Sequence, residues 1–179
     1  MADEILAIKQ AIRDVPDFPV EGVLFKDITP VLKDPKLLNL MVEALTEYAE
    51  DKEAEVIAGI ESRGFIMGAP VAVELDLPFV PVRKAGKLPW ETVKAAYELE
   101  YGTAEIEIHR DAFDEGDRVV VIDDLLATGG TARATFELIE KMGGVVAGCG
   151  FIVELTFLGG PEKLEGYDYT SFVRYGAGE

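Results

Sequence analysis

Apolar residues along this chain follow two rhythms. Consecutive β-branched and aliphatic residues at Val56-Ile57-Ala58-Gly59-Ile60, at Val119-Val120-Val121-Ile122 and from Val145 to Val153 predict strands buried on both faces, as in a parallel sheet with helices above and below. Between these runs the apolar positions fall at helical spacing: Leu38, Met41, Leu45 and Ala49; Phe65, Ile66, Met67 and Val71 on to Leu75; Ala132, Phe136, Ile139 and Met142. Phe79-Val80-Pro81-Val82 adds a short strand. Gly159-Gly160-Pro161 opens a short helix before a last strand at Ser171-Phe172-Val173. Strand and helix thus alternate from Val56 onward, which predicts an α/β fold: an open, mostly parallel twisted sheet flanked by helices, with right-handed crossovers. In such sheets the binding crevice lies at the carboxyl ends of the strands.

Three segments break the alternation. Ile5, Ile8 and Ile12 share one helical face, and Pro16 is expected to end that helix. Asp17 to Pro30 carries two prolines, a glycine and several large apolar side chains. That mixture predicts an irregular covered loop whose backbone groups can read the edge of a flat heterocycle. Asp34-Pro35 then reads as a helix cap followed by proline in the first turn. Arg83 to Trp90, with Arg83, Lys84 and Lys87 beside Gly and Pro, predicts a mobile basic flap. Ala95 to Glu100 and Ala104 to Ile108 alternate around Tyr101-Gly102-Thr103 and predict a β-hairpin. Flap and hairpin together are expected to stand outside the sheet as a lid.

At 179 residues a single domain spanning 1–179 is expected, with an N-terminal helix and hood over 1–34 and a flexible lid over 83–109. The net charge of −17 argues against a nucleic-acid partner, whose backbone needs a basic face. Acids at Asp3 and Glu4 and the lack of any apolar run near the roughly 20 residues of a membrane span predict a cytoplasmic protein with no membrane association. The one cysteine, Cys149, lies among apolar neighbours and reads as a buried core thiol in a reducing compartment. The one histidine, His109, has no partner constellation and is expected at the surface.

The chemistry concentrates after the strand at Val119 to Ile122. Two carboxylates, Asp123 and Asp124, are followed by Leu125-Leu126-Ala127-Thr128-Gly129-Gly130-Thr131 and then a helix. Gly129 and Gly130 let the backbone curl into an anion-binding hollow, and the helix adds the positive end of its dipole, about half a unit charge. Such a hollow suits a phosphate, with Thr128 and Thr131 as hydroxyl donors at its rim. The carboxylates repel a phosphate and must face something else on the same ligand: vicinal sugar hydroxyls or a divalent cation. Arg63, in Glu61-Ser62-Arg63-Gly64 at the end of another strand, can bind a second anionic group. No lysine follows the glycines, which excludes a Walker loop, and no G-x-G-x-x-G occurs.

The stretch Asp123 to Thr131 resembles the phosphoribosyl-pyrophosphate (PRPP) motif of the type I phosphoribosyltransferases. That resemblance implies that Asp123 and Asp124 hold the ribose hydroxyls and that Ala127, Thr128, Gly129, Gly130 and Thr131 hold the 5-phosphate. It assigns Arg63, Lys87 and Tyr101 to the remainder of the PRPP site. The segment around Leu24, Phe25 and Lys26 is similar to the purine side of the adenine-specific members, with Leu155 on the purine face, although many relatives carry arginine at Lys26. The stretch Leu99-Glu100-Tyr101-Gly102 resembles the one that carries their proton-transferring glutamate, here Glu100. Hypoxanthine-guanine relatives have an aspartate where this chain has Ala127, so the resemblance favours a 6-amino purine. It implies conversion of adenine and PRPP to AMP and pyrophosphate in a homodimer. Mg²⁺ would be held mainly through substrate oxygens, with no metal site of the protein's own. The other readings are a xanthine-type purine transferase and a PRPP-sensing regulator without turnover.

Overall fold

The structure is a computed structural model of the chain and describes residues 2–98 and 103–179. The chain divides into two compact units, one ending at Ala44 and the other running from Leu45 to Glu179.

In the first unit, helix α1 (Ala2–Ala11) is followed by strand β1 (Arg13–Pro16), which pairs antiparallel with β2 (Leu24–Asp27). This ribbon replaces the expected helix stop and irregular loop, since four-residue strands are too short to show a period in sequence. Nor is the loop covered: Phe18 is 52% and Val20 61% exposed, and Leu24 is also exposed. A two-stranded ribbon cannot bury both its faces. Phe18 instead packs edge-on against Phe25, with ring centroids 5.2 Å apart. Lys26 is buried, and its ammonium lies 2.6 Å from the Asp14 carboxylate across the ribbon. After α2 (Thr29–Lys33), helix α3 (Pro35–Asp51) starts as expected, with Asp34 accepting the Lys36 N–H at 2.9 Å.

The second unit is a seven-stranded sheet. Its strands are β3 (Val56–Ile60), β4 (Phe79–Lys84), β5 (Thr92–Glu98), β6 (Thr103–His109), β7 (Arg118–Leu126), β8 (Val145–Leu155) and β9 (Tyr169–Tyr175). They lie in the order β5-β6-β4-β3-β7-β8-β9, parallel from β4 to β9 and antiparallel where β5 and β6 join. Helices α4 (Arg63–Glu74) and α5 (Gly130–Lys141) make the crossovers, and a short α6 (Gly160–Lys163) precedes β9. Val119 through Ile122 are fully buried, as a central strand covered on both faces requires. One core cluster joins Val119 and Val121 to Phe136, Ile139, Cys149 and Phe151, and burying each large side chain contributes about 1.5–3 kcal/mol.

The hairpin has the expected strands but a different place. Arg83 and Lys84 of β4 pair with Glu107 and Ile106 of β6, and Ile106 and Ile108 enter the core, so the hairpin continues the sheet edge. The basic flap is likewise tied down. Ala85 N donates to Glu105 O at 3.0 Å and Arg110 N to Glu91 O at 3.0 Å, so the segment from Ala85 to Glu91 lies along β6 as a strap. Glu100 and Tyr101 lie outside the described residues.

Candidate active site

Because β3 and β7 are parallel neighbours, with Gly59 beside Ile122, the segments that follow them emerge side by side at the carboxyl edge of the sheet. Glu61-Ser62-Arg63 and Asp123-Asp124 therefore share one cavity of about 300 Å³, walled also by Arg83, Lys84, Tyr97 and Thr131. Gly64 makes this meeting possible. A methyl group on it would stand 2.5 Å from the Ile122 carbonyl oxygen, so only glycine lets α4 start this close to β7. Ser62 occupies the position before α4, but its side chain does not cap the helix as expected, and the Glu61–Ser62 peptide is cis.

The two carboxylates are not equivalent. Asp124 is buried and paired with the Arg63 guanidinium, which is thereby fixed at the cavity wall. Asp123 accepts the Asp124 N–H at 2.9 Å and faces the cavity. Burial, and next the charge of Asp124, push its carboxyl well above the usual range. Across the cavity Glu61 accepts from Arg83 Nε and Lys84 N, both at 3.1 Å. Burial acts to raise its carboxyl, but those hydrogen bonds and the charges of Arg83 and Lys87 outweigh it and hold Glu61 below its ordinary value.

Thr131 links this cavity to a second of about 70 Å³, a size suited to one phosphate group, lined by Asp123 and by Leu125 through Ala132. Here the loop turns into α5 at Gly129, whose φ of 75° a side chain rarely adopts. Gly160 backs the loop closely, 2.8 Å from where a methyl on Gly129 would stand, a contact the sequence did not reveal.

Arg63, Asp123, Asp124 and the loop from Ala127 to Thr131 thus come together around two adjoining cavities. Lys87 does not line either cavity; it is exposed on the strap, close enough for its charge to act on Glu61. Leu155 ends β8 opposite Tyr175 and lines neither cavity. Leu24, Phe25 and Lys26 belong to β2 of the first unit. The resemblance placed Glu61 only within the Glu61-to-Gly64 stretch of the pyrophosphate site, with no role of its own, and assigned nothing to Glu107. Glu61 was legible as a charged residue at a strand's carboxyl end, whereas Glu107 alternates with Ile106 and Ile108 and reads as solvated because the strap covering it is distant in sequence.

An open α/β sheet with an acid pair, an arginine and a glycine-lined phosphate-sized pocket at adjoining strand ends suits a phosphorylated small molecule. The chain belongs to the family described as the phosphoribosyl transferase domain, whose model matches residues 29–172. It is 55% identical over 169 residues to the adenine phosphoribosyltransferase of Halothermothrix orenii, covering 94% of this chain and 99% of that one. Among solved structures it resembles adenine phosphoribosyltransferase from Thermoanaerobacter pseudethanolicus, with 54% identity, a TM-score of 0.92 and coverage of 96% and 99%. It also resembles the enzyme from Saccharomyces cerevisiae complexed with D-2,5-dideoxy-2,5-imino-altritol 1,6-bisphosphate and adenine, at 39% identity, a TM-score of 0.91 and coverage of 96% and 99%.

Proposed function

We propose that this chain is an adenine phosphoribosyltransferase of purine salvage, converting adenine and PRPP to AMP and pyrophosphate. The observation that carries the reading is the pair of joined cavities: acids and Arg63 around the larger, the glycine loop around the smaller. In the reaction N9 of adenine bonds to C1 of the ribose while the bond from C1 to the pyrophosphate oxygen breaks, its electron pair leaving with the oxygen. Positive charge grows on the sugar and negative charge on the leaving group, so the site must steady both. Asp123 and Asp124 accept from the ribose hydroxyls and lie beside the growing positive charge. Ala127 through Thr131 grip the 5-phosphate, and Arg63 and Lys87 draw off the pyrophosphate. The family resemblance assigns the adenine edge to main-chain groups at Leu24 and Lys26, gives Phe25 contact with the base, and separately assigns Leu155 to purine binding. By the family resemblance Tyr101 belongs to the PRPP site, and Glu100 takes the N9 proton. Alanine at position 127 cannot move a proton, which leaves that task to Glu100.

With Asp124 committed to Arg63, the acid pair can complete but not by itself build the octahedral oxygen shell that Mg²⁺ demands. This donor set would suit an ion held mainly through the substrate's own oxygens, with Asp123 the acid free to help hold it. When bound, such an ion neutralises charge on the leaving pyrophosphate.

The reading treats the whole chain as one catalytic domain, and the family match from 29 to 172, which crosses the boundary at Ala44, supports it. It carries with it a cytoplasmic homodimer, which sedimentation and cell fractionation check. The test of function is purine-by-purine turnover with PRPP and Mg²⁺: pyrophosphate release is expected with adenine and not with hypoxanthine, guanine or xanthine. No release with adenine overturns the proposal.

A further inference from the structure

The strap that carries Lys87 is held by side chains from one face of β6. Glu107 is 2% exposed although charged, and its Oε1 accepts the N–H groups of both Lys87 and Leu88 at 2.8 Å. Its Oε2 accepts from the Thr92 hydroxyl at 3.2 Å and lies 3.8 Å from the Lys94 ammonium. Two residues on, His109 Nε2 lies 2.6 Å from the Pro89 carbonyl oxygen. The Lys87 peptide is gripped from its other side too, since Arg83 Nη1 donates to Lys87 O at 3.1 Å while Arg83 itself is held by Glu61. Gly86, with φ of 81°, begins the turn that aims successive N–H groups at the Glu107 carboxylate. This is a backbone nest of the kind that binds anions, and here its anion is part of the protein. Burying a carboxylate is costly unless it is paired and hydrogen-bonded. Glu107 meets that condition only when the strap lies against β6, so its burial and the strap's place fix each other.

We propose that Glu107 is a positioning residue for the transfer reaction: it clamps the Lys87 peptide so that the ammonium of Lys87 is presented to the pyrophosphate group. The proposal rests on the reading that Lys87 meets pyrophosphate, and the experiment separates the two. Binding of inorganic pyrophosphate with Mg²⁺ is measured by calorimetry, together with KM for PRPP and for adenine, in wild type, Lys87→Ala, Glu107→Ala, Glu107→Gln and the double variant K87A/E107A. Both alanine variants are expected to weaken pyrophosphate about tenfold, with adenine KM within about twofold of wild type, and the double variant is expected to be no worse than either. Glu107→Gln keeps an oxygen for the two N–H groups and is expected to restore most of the affinity. Trp90, the one tryptophan of the chain, sits on the strap and reports its order. Its fluorescence anisotropy is expected to fall in Glu107→Ala and to stay unchanged in Lys87→Ala. If Glu107→Ala does not accumulate folded, Glu107→Asp, shorter by one methylene, replaces it with the same expectations. Full pyrophosphate affinity in Lys87→Ala overturns the reading of Lys87 and the proposal with it. Loss in Lys87→Ala alone, or losses that multiply in the double variant, overturns the clamp and leaves the reading of Lys87 standing.

Discussion

Asp123 is kept in the fold at a cost to stability. Its carboxyl is pushed up by burial and by the neighbouring Asp124, so the folded chain holds that proton more tightly than the unfolded chain does. A carboxyl raised in this way costs nothing below its unfolded value, and the cost grows as pH climbs from there through the folded value. Asp123→Asn is therefore expected to raise Tm at pH 7 by about 2–4 °C, the change that roughly 1 kcal/mol produces in a chain of this size. The gain should shrink as pH falls toward about 4, the ordinary range for an aspartate. The same change is expected to weaken PRPP through a poorer acceptor for the ribose. Melts of both proteins across that pH range decide it, and equal Tm values at pH 7 sink the claim. Glu100 belongs to the same scale: Glu100→Gln is expected to lower kcat at least about tenfold with little change in PRPP binding, checked by steady-state kinetics. Residues such as Asp123 and Arg63 were legible because their motifs are contiguous in the sequence and complete within a few residues. Glu107 was not, because its role depends on a strap some 20 residues away.

At the scale of elements, the site depends on how closely α4 approaches β7. Gly64→Ala would bring a methyl to 2.5 Å from the Ile122 carbonyl oxygen, and a backbone atom cannot swing aside as a side chain can. The start of α4 must then shift, drawing Arg63 away from Asp124. Overpacking of this kind costs about 1–3 kcal/mol, and KM for PRPP is expected to rise at least about tenfold, as a misplaced first-turn arginine implies. Wild-type melting and kinetics together would refute the close approach. The helices and parallel strands from Asp34 onward were legible because each is long enough to show its period. Strands β1 and β2 were not, and neither was the edge that the hairpin joins. Alternation tells which residues of a strand face the core but not which neighbour it pairs with.

For the whole molecule the decisive quantity is the excess of 34 acidic over 17 basic side chains. Most ion pairs among the described residues involve at least one well-exposed partner, such as Arg110 with Glu91 and Arg133 with Glu137, and pairs of that kind contribute at most about 1 kcal/mol each. The remaining acids repel one another through solvent, and that repulsion opposes the compact state. Raising ionic strength from 0.01 to 1 M shortens the screening length from about 30 to about 3 Å, so the repulsion fades while pairs with one buried member, such as Arg63 with Asp124, are affected less. Tm is therefore expected to climb by several degrees between 10 mM and 0.5 M NaCl and to level off once the screening length falls below the spacing of surface charges. Screening depends on ionic strength and not on the identity of the salt, so potassium and tetramethylammonium chloride should trace the same curve, whereas sulfate, which also strengthens apolar burial, should lie above it. A flat or falling Tm in all three chlorides would mean that the acidic surface is already neutralised by its own basic neighbours, and that the net charge read from the sequence does not act as a field on the fold.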